Sequence, residues 1–198
     1  MMKTVHYYFD LMSPYSYLAC TQIPRLVETY KGVAVFEGHP FNMWEARLAA
    51  GNNGPSNRDM PARARALMAD VARWSKRYGV PVAPPKSFNT DRVNRGFLVA
   101  RERGDAVAYL ASINASLWGG GGDPEDEALL AKAAEQAGIA PADMIAAVDS
   151  PDIIERYAEE NRKAQAAGIF GAPMFIVDDQ IYWGNDRIEW VEEYIREN

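Results

Sequence analysis

The chain reads as an α/β protein in which a βαβ opening and a ββα ending enclose a long block made only of helices. Three observations carry that reading. Residues 4–9, TVHYYF, and the later run VAVFEGHPF are rich in β-branched and aromatic residues, with a helical segment between them. From about 47 to 167 the apolar residues recur at helical spacing and no strand pattern appears. Near the end, PMFIVDDQIYWG gives two short apolar runs separated by Asp178-Asp179, a hairpin pattern, before a last amphipathic helix.

Each element has a local reason. Ser13 is a favoured helix cap, and Pro14 at the first helical position has no amide to waste. Leu18, Ile23, Leu26, Val27 and Tyr30 extend that helix to Lys31-Gly32. VAVFEGHPF follows as the second strand, and such a βαβ unit favours a right-handed crossover between parallel strands. AAGNNGPSNRDMP is a turn-rich loop. Arg63 to Tyr78 then places Leu67, Met68, Val71, Trp74 and Tyr78 on one helical face. YGVPVAPPKSFNT is a break, and helices are expected over 92–102 and 106–118. GGGGDPEDE is a flexible link ending in a cap, before helices at about 125–137, 141–149 and 151–167. DRIEWVEEYIREN closes with Ile188, Val191 and Ile195 on one side. This order is the thioredoxin-like layout, with residues 1–46 and 168–198 as the thioredoxin-like domain and 47–167 as a helical insertion.

Bulk properties narrow the function. The 198 residues are 48% hydrophobic and 24% charged, as in soluble globular proteins, with enough chain for a substantial core. A net charge of −6 argues against nucleic acid or an acidic membrane as partner. No run approaches the ~18 apolar residues that span a bilayer, and MMKTVHYYFD is too short and polar for a secretory signal. The single cysteine, Cys20, has no internal partner, which suits a reducing, cytoplasmic setting.

The chemistry centres on the first βα turn, Ser13-Pro14-Tyr15-Ser16. Redox members of thioredoxin-like folds carry a Cys-x-x-Cys pair on this turn, where a helix N-terminus stabilises a thiolate. This turn has no thiol, and Cys20 lies nearly two helical turns further on, so dithiol exchange is excluded. What remains is a helix start able to hold a visiting thiolate.

FDLMSPYSYLA and GIFGAPMFIVDDQIYWGNDRIEWVEEYI together resemble the 2-hydroxychromene-2-carboxylate isomerases, which share a branch with the kappa-class glutathione transferases and are relatives of the DsbA oxidoreductases. The likeness covers nearly the whole chain and is strongest at both ends. It implies glutathione as cofactor, a small aromatic carboxylate as substrate, and a homodimer. It also implies that Ser13 contacts the glutathione sulfur; read alone, Ser13 is a helix cap, and the two roles are compatible. Ala172-Pro173 resembles the family's cis-proline step, where the backbone of the preceding residue binds a peptide like an added strand. Without the family likeness, that proline merely starts a strand. Met174 replaces a threonine more usual there.

In WGNDR, Asn185 and Asp186 match positions that hold the γ-glutamyl end of glutathione, with Trp183 and Gly184 lining the same edge; either polar residue is equally a good helix cap. Asn52 matches a ligand-contacting Gly-Asn loop, though Asn in such a loop is ordinarily a turn residue. Asn89 falls where the family faces its substrate pocket, without the usual preceding proline. Arg63 replaces a lysine and keeps a positive charge for an acidic ligand, or is one more solvated charge.

Other constellations are weaker. His6 and His39 are read as too few and too isolated for a metal site. GGGG lacks the flanks of a phosphate loop, and Ser13 has no His/Asp partners for a hydrolase triad. The resulting expectation is a glutathione-dependent isomerase. The alternatives are a kappa-like transferase conjugating electrophiles, and a non-catalytic thioredoxin-like peptide-binding module.

Overall fold

The computed structural model describes residues 2–198. Its centre is a four-stranded mixed sheet in the order β2-β1-β3-β4. β1 (Lys3–Phe9) and β2 (Ala34–Pro40) are parallel, with His6 opposite Glu37 and Tyr8 opposite His39. β3 (Met174–Val177) runs antiparallel to β1 and turns through Asp178-Asp179 into β4 (Gln180–Trp183). Asp178 takes φ 53, the left-handed conformation that Asp tolerates better than most side chains. The α/β, thioredoxin-like order read from the sequence is therefore the order of the molecule.

The two faces of the sheet bury different neighbours because strand side chains alternate. Val5, Tyr7, Phe9, Phe175 and Val177 enter the main core. That core also takes Leu18 of α1 (Pro14–Cys20), Leu26 of α2 (Ile23–Thr29) and Phe97 of α5 (Asp91–Arg103). Gly38 is required on this face: a Cβ there would stand 2.5 Å from the Phe97 ring and 2.6 Å from the Tyr7 hydroxyl. On the opposite face Tyr8 and Met174 pack with Ala46 of α3 (Met43–Ala49) and Ala164 of α9 (Pro151–Ala166).

The remaining helices are α4 (Pro61–Tyr78), α6 (Ala106–Leu117), α7 (Glu127–Gln136), α8 (Pro141–Val148) and α10 (Ile188–Glu197). No helix among the described residues is long and apolar enough to cross a membrane. Two details depart from the sequence reading. The first helix is two helices, because Pro24 has no amide to reach back to the Cys20 carbonyl; Thr21 instead closes the first with its hydroxyl on Leu18 O at 2.7 Å. α3 precedes the Gly/Asn-rich loop and begins where the Asn42 side chain accepts from the amides of Trp44 and Glu45, at 3.0 and 3.1 Å. The boundary drawn at residues 46/47 falls inside α3.

Candidate active site

The chain leaves β1 at Asp10 and turns so that the Ser13 amide donates to Asp10 O at 2.9 Å. Ser13 is extended, caps α1 and is nearly buried. Its hydroxyl accepts from the Ser16 amide at 3.2 Å and donates to Ala172 O at 3.0 Å. The cap reading thus holds, and the same oxygen joins the helix start to the segment before β3. Ser16 is fully buried and accepts from the Asp10 amide at 3.4 Å. Cys20 is buried, and desolvation pushes its thiol far above the ordinary range, so it remains a packing residue.

The Ala172-Pro173 peptide is cis. Pro173 O accepts from the Gly184 amide at 3.0 Å, which draws the end of β4 against this step. Gly184 sits at φ 112, and a Cβ there would come 2.3 Å from an Asp186 carboxylate oxygen. Trp183 is exposed, its indole nitrogen close over Gly171 and its ring edge-to-face with Phe170 at 4.9 Å. Asn185 is buried and its side-chain NH2 has no hydrogen-bond partner among the described residues, while its backbone carbonyl accepts from the Tyr78 hydroxyl at 3.2 Å. Asp186 lies beside it, half-exposed, 3.1 Å from Arg187.

Tyr15 of α1 completes this edge by donating to Asp70 of α4 at 2.9 Å. Burial, the bond to Asp70 and the charge of Asp186 all hold its hydroxyl well above the ordinary phenol range. Ser13, Ala172, Pro173, Trp183, Gly184, Asn185 and Asp186 therefore lie along one end of the sheet.

A cavity of about 360 Å³ opens beside Met12; its walls include Asp10, Trp44, Arg58, Phe88 and Asn89. That volume suits a small ligand. Arg58 is the only cation among the described lining residues, with the guanidinium 3.6 Å above the Phe88 ring, and desolvation lowers its proton affinity. Asn89 donates to Glu125 at 3.1 Å on the rim. Asn52 and Arg63 do not line the cavity: Asn52 is exposed and faces Arg47 at 3.4 Å, and Arg63 is exposed in the first turn of α4. A larger hollow of about 490 Å³, bounded by Arg103, Ile139 and Asp143 among others, shares no lining residue with this one.

Beneath the cavity, the Asp10 carboxylate accepts from Thr90 (2.7 Å), Asn94 (2.9 Å) and the amides of Met43 (2.9 Å) and Met12 (3.1 Å). Burial raises its proton affinity, and these four donors oppose that shift. Sequence reading missed Arg58, Asp10 and Tyr15. An acid ending an apolar strand run was the one available signal, since a lone buried carboxylate needs several donors.

A buried serine cap, a thiol-free turn and a neighbouring cis-proline step define a thioredoxin-like protein without a redox pair on its first helix. Residues 4–196 match the family model described as a DSBA-like thioredoxin domain. A 2-hydroxychromene-2-carboxylate isomerase of Sphingobium xenophagum is 40% identical over 195 residues, covering 98% of this chain and 99% of that protein. A solved structure of 2-hydroxychromene-2-carboxylate isomerase superposes with a TM-score of 0.92 at 32% identity, over 98% of this chain and 95% of that one. Glutathione S-transferase kappa 1 of Caenorhabditis elegans is more distant, 23% identical over 211 residues, 99% of this chain and 92% of that protein. The chain belongs to the 2-hydroxychromene-2-carboxylate isomerase family of DsbA-like proteins.

Proposed function

We propose that this isomerase-family enzyme converts 2-hydroxychromene-2-carboxylate, or a similar aromatic-degradation acid, with glutathione as a cofactor that is regenerated each cycle. The observation that carries the proposal is the Ser13 hydroxyl, 3.0 Å from Ala172 O, on a turn with no thiol of its own. The surrounding residues fit a γ-glutamyl tripeptide. The Ala172 amide has no partner among the described residues, the buried Asn185 NH2 is an unmet donor, and Asp186 supplies a carboxylate for an ammonium.

When bound, glutathione would supply a thiolate for addition to the substrate, with ring opening, rotation about the resulting single bond and elimination that returns the thiolate. Ser13 would donate its hydrogen toward that sulfur, stabilising the anion at neutral pH. Arg58 would face the substrate carboxylate in the 360 Å³ cavity, and Phe88 would offer its aromatic ring a flat apolar wall. Asn89 on the rim and the more distant Asn52 and Arg63 remain candidates for binding substrate as it enters. The whole arrangement only orients an anion and activates sulfur, with no net oxidation. Reduced glutathione points to a cytoplasmic setting, and a homodimer is the assembly that this reading carries over from the family.

A spectroscopic assay of a chromene carboxylate, with and without glutathione, tests the proposal on wild type and Ser13→Ala. Loss of one hydrogen bond to a charged group lowers kcat/KM about 10- to 100-fold, with turnover that requires glutathione but does not consume it. Isomerisation at full rate without glutathione overturns the mechanism. Consumption of one glutathione per product assigns a conjugating transferase, and glutathione binding without any turnover a peptide-binding module.

A further inference from the structure

Two histidines far apart in sequence meet on the sheet face opposite the main core. β1 and β2 are parallel and in register, so His6 stands opposite Glu37, and His39, two residues further along β2, projects from the same face as Glu37. His6 Nδ1 is 3.0 Å from His39 Nε2 and 3.5 Å from a Glu37 carboxylate oxygen, and one ligating atom from each residue falls within 4.8 Å of the others. A tetrahedral ion with ligand bonds of about 2.1 Å requires edges of about 3.4 Å, which these two separations bracket.

His39 is also prepared from behind. Its Nδ1 is 3.0 Å from Glu160 of α9, which is in turn held by Arg101 at 2.8 Å. Tyr8 stacks on the ring at 4.8 Å and 22°. With Glu160 taking the Nδ1 hydrogen, the Nε2 lone pair points at His6, the carboxylate–histidine arrangement that orients a metal-binding imidazole. Glu160 and His39 are largely covered, whereas His6 and Glu37 remain open to solvent, which leaves a route in and a free fourth position.

We propose that His6, Glu37 and His39 form a site for a divalent transition-metal ion of the zinc type, with Glu160 as a positioning residue. Two imidazoles and one carboxylate are a borderline donor set that suits zinc far better than calcium or magnesium. The ion would pin edge strand β2 to β1, and through Glu160 to α9, at a place separate from the Ser13 turn.

The test is zinc binding to the full-length protein by competition with a chromophoric chelator. The expected result is one equivalent bound by wild type and by Cys20→Ala, at least 10-fold weaker binding in His6→Gln and His39→Gln, and an intermediate loss in Glu160→Gln. Cobalt titration of the wild type gives visible bands of four-coordinate geometry, a readout that needs no variant to fold. Far-UV circular dichroism confirms that the variants are folded. Absence of zinc binding by wild type assigns the cluster to a plain His6–His39–Glu160 hydrogen-bond chain and overturns the proposal. Binding that is unchanged in both histidine variants overturns it equally.

Discussion

At the scale of single residues, one hydroxyl both caps a helix and reaches across the fold. Ser13 satisfies one unpaired amide at the start of α1, that of Ser16, and at the same time donates to the Ala172 carbonyl, 159 positions away. Arg58 makes the opposite point, since nothing in its neighbourhood of sequence explains it until Phe88 is placed 3.6 Å beneath it. Arg58→Gln is expected to raise KM for an anionic substrate about 10-fold or more while leaving kcat nearly unchanged, as loss of uniform binding does; steady-state kinetics separate the two. Asp10→Asn is expected to cost about 1–3 kcal/mol in urea unfolding. Its new NH2 group would oppose one of four donors that now meet a carboxylate.

At the scale of elements, the β3–β4 hairpin depends on Asp178 in two ways. Its left-handed backbone makes the turn, and its carboxylate ties Lys3 of β1 to Tyr194 of α10. Hydrogen bonds from Lys3 and then Tyr194 hold that carboxyl below its ordinary value. A depressed carboxyl contributes stability above its unfolded value of about 3.9, and this is lost as pH falls through the lower folded value. Asp178→Asn keeps the turn and removes the titration, so its melting temperature should fall less steeply than wild type's below about pH 4, as followed by circular dichroism at stepped pH. Element type was legible wherever the signal was local, as in the strand TVHYYF, the cap at Ser13 and the Asp178-Asp179 turn. The break at Pro24 was equally local, but the apolar spacing ran straight across it from Leu18 to Ile23. Arg58 over Phe88 and His6 against His39 were not legible, because both are contacts 30 or more positions apart that only the sheet and the loop packing create.

At the scale of the molecule, the sheet and the inserted helices share their interior. Val5 and Phe175 of the sheet lie in one continuous apolar cluster with Phe97, Tyr109 and Leu130 of the helical block. Asp10 adds a polar tie by bonding Thr90 and Asn94 across the same junction. Unfolding in urea is therefore expected to be a single transition, with coincident curves from far-UV circular dichroism and from tryptophan fluorescence. Separate transitions would mean that residues 47–167 and the remainder hold together independently.

The bond from Ser13 to Ala172 O also has a chemical consequence. A hydroxyl owns one hydrogen, and in the resting protein that hydrogen is already given away. A neutral thiol is too weak an acceptor to displace a carbonyl from it, whereas a thiolate is not. If Ser13 receives the sulfur as proposed, the arriving cofactor is screened by its protonation state. The Ala172 carbonyl is then the reference against which each incoming sulfur is compared.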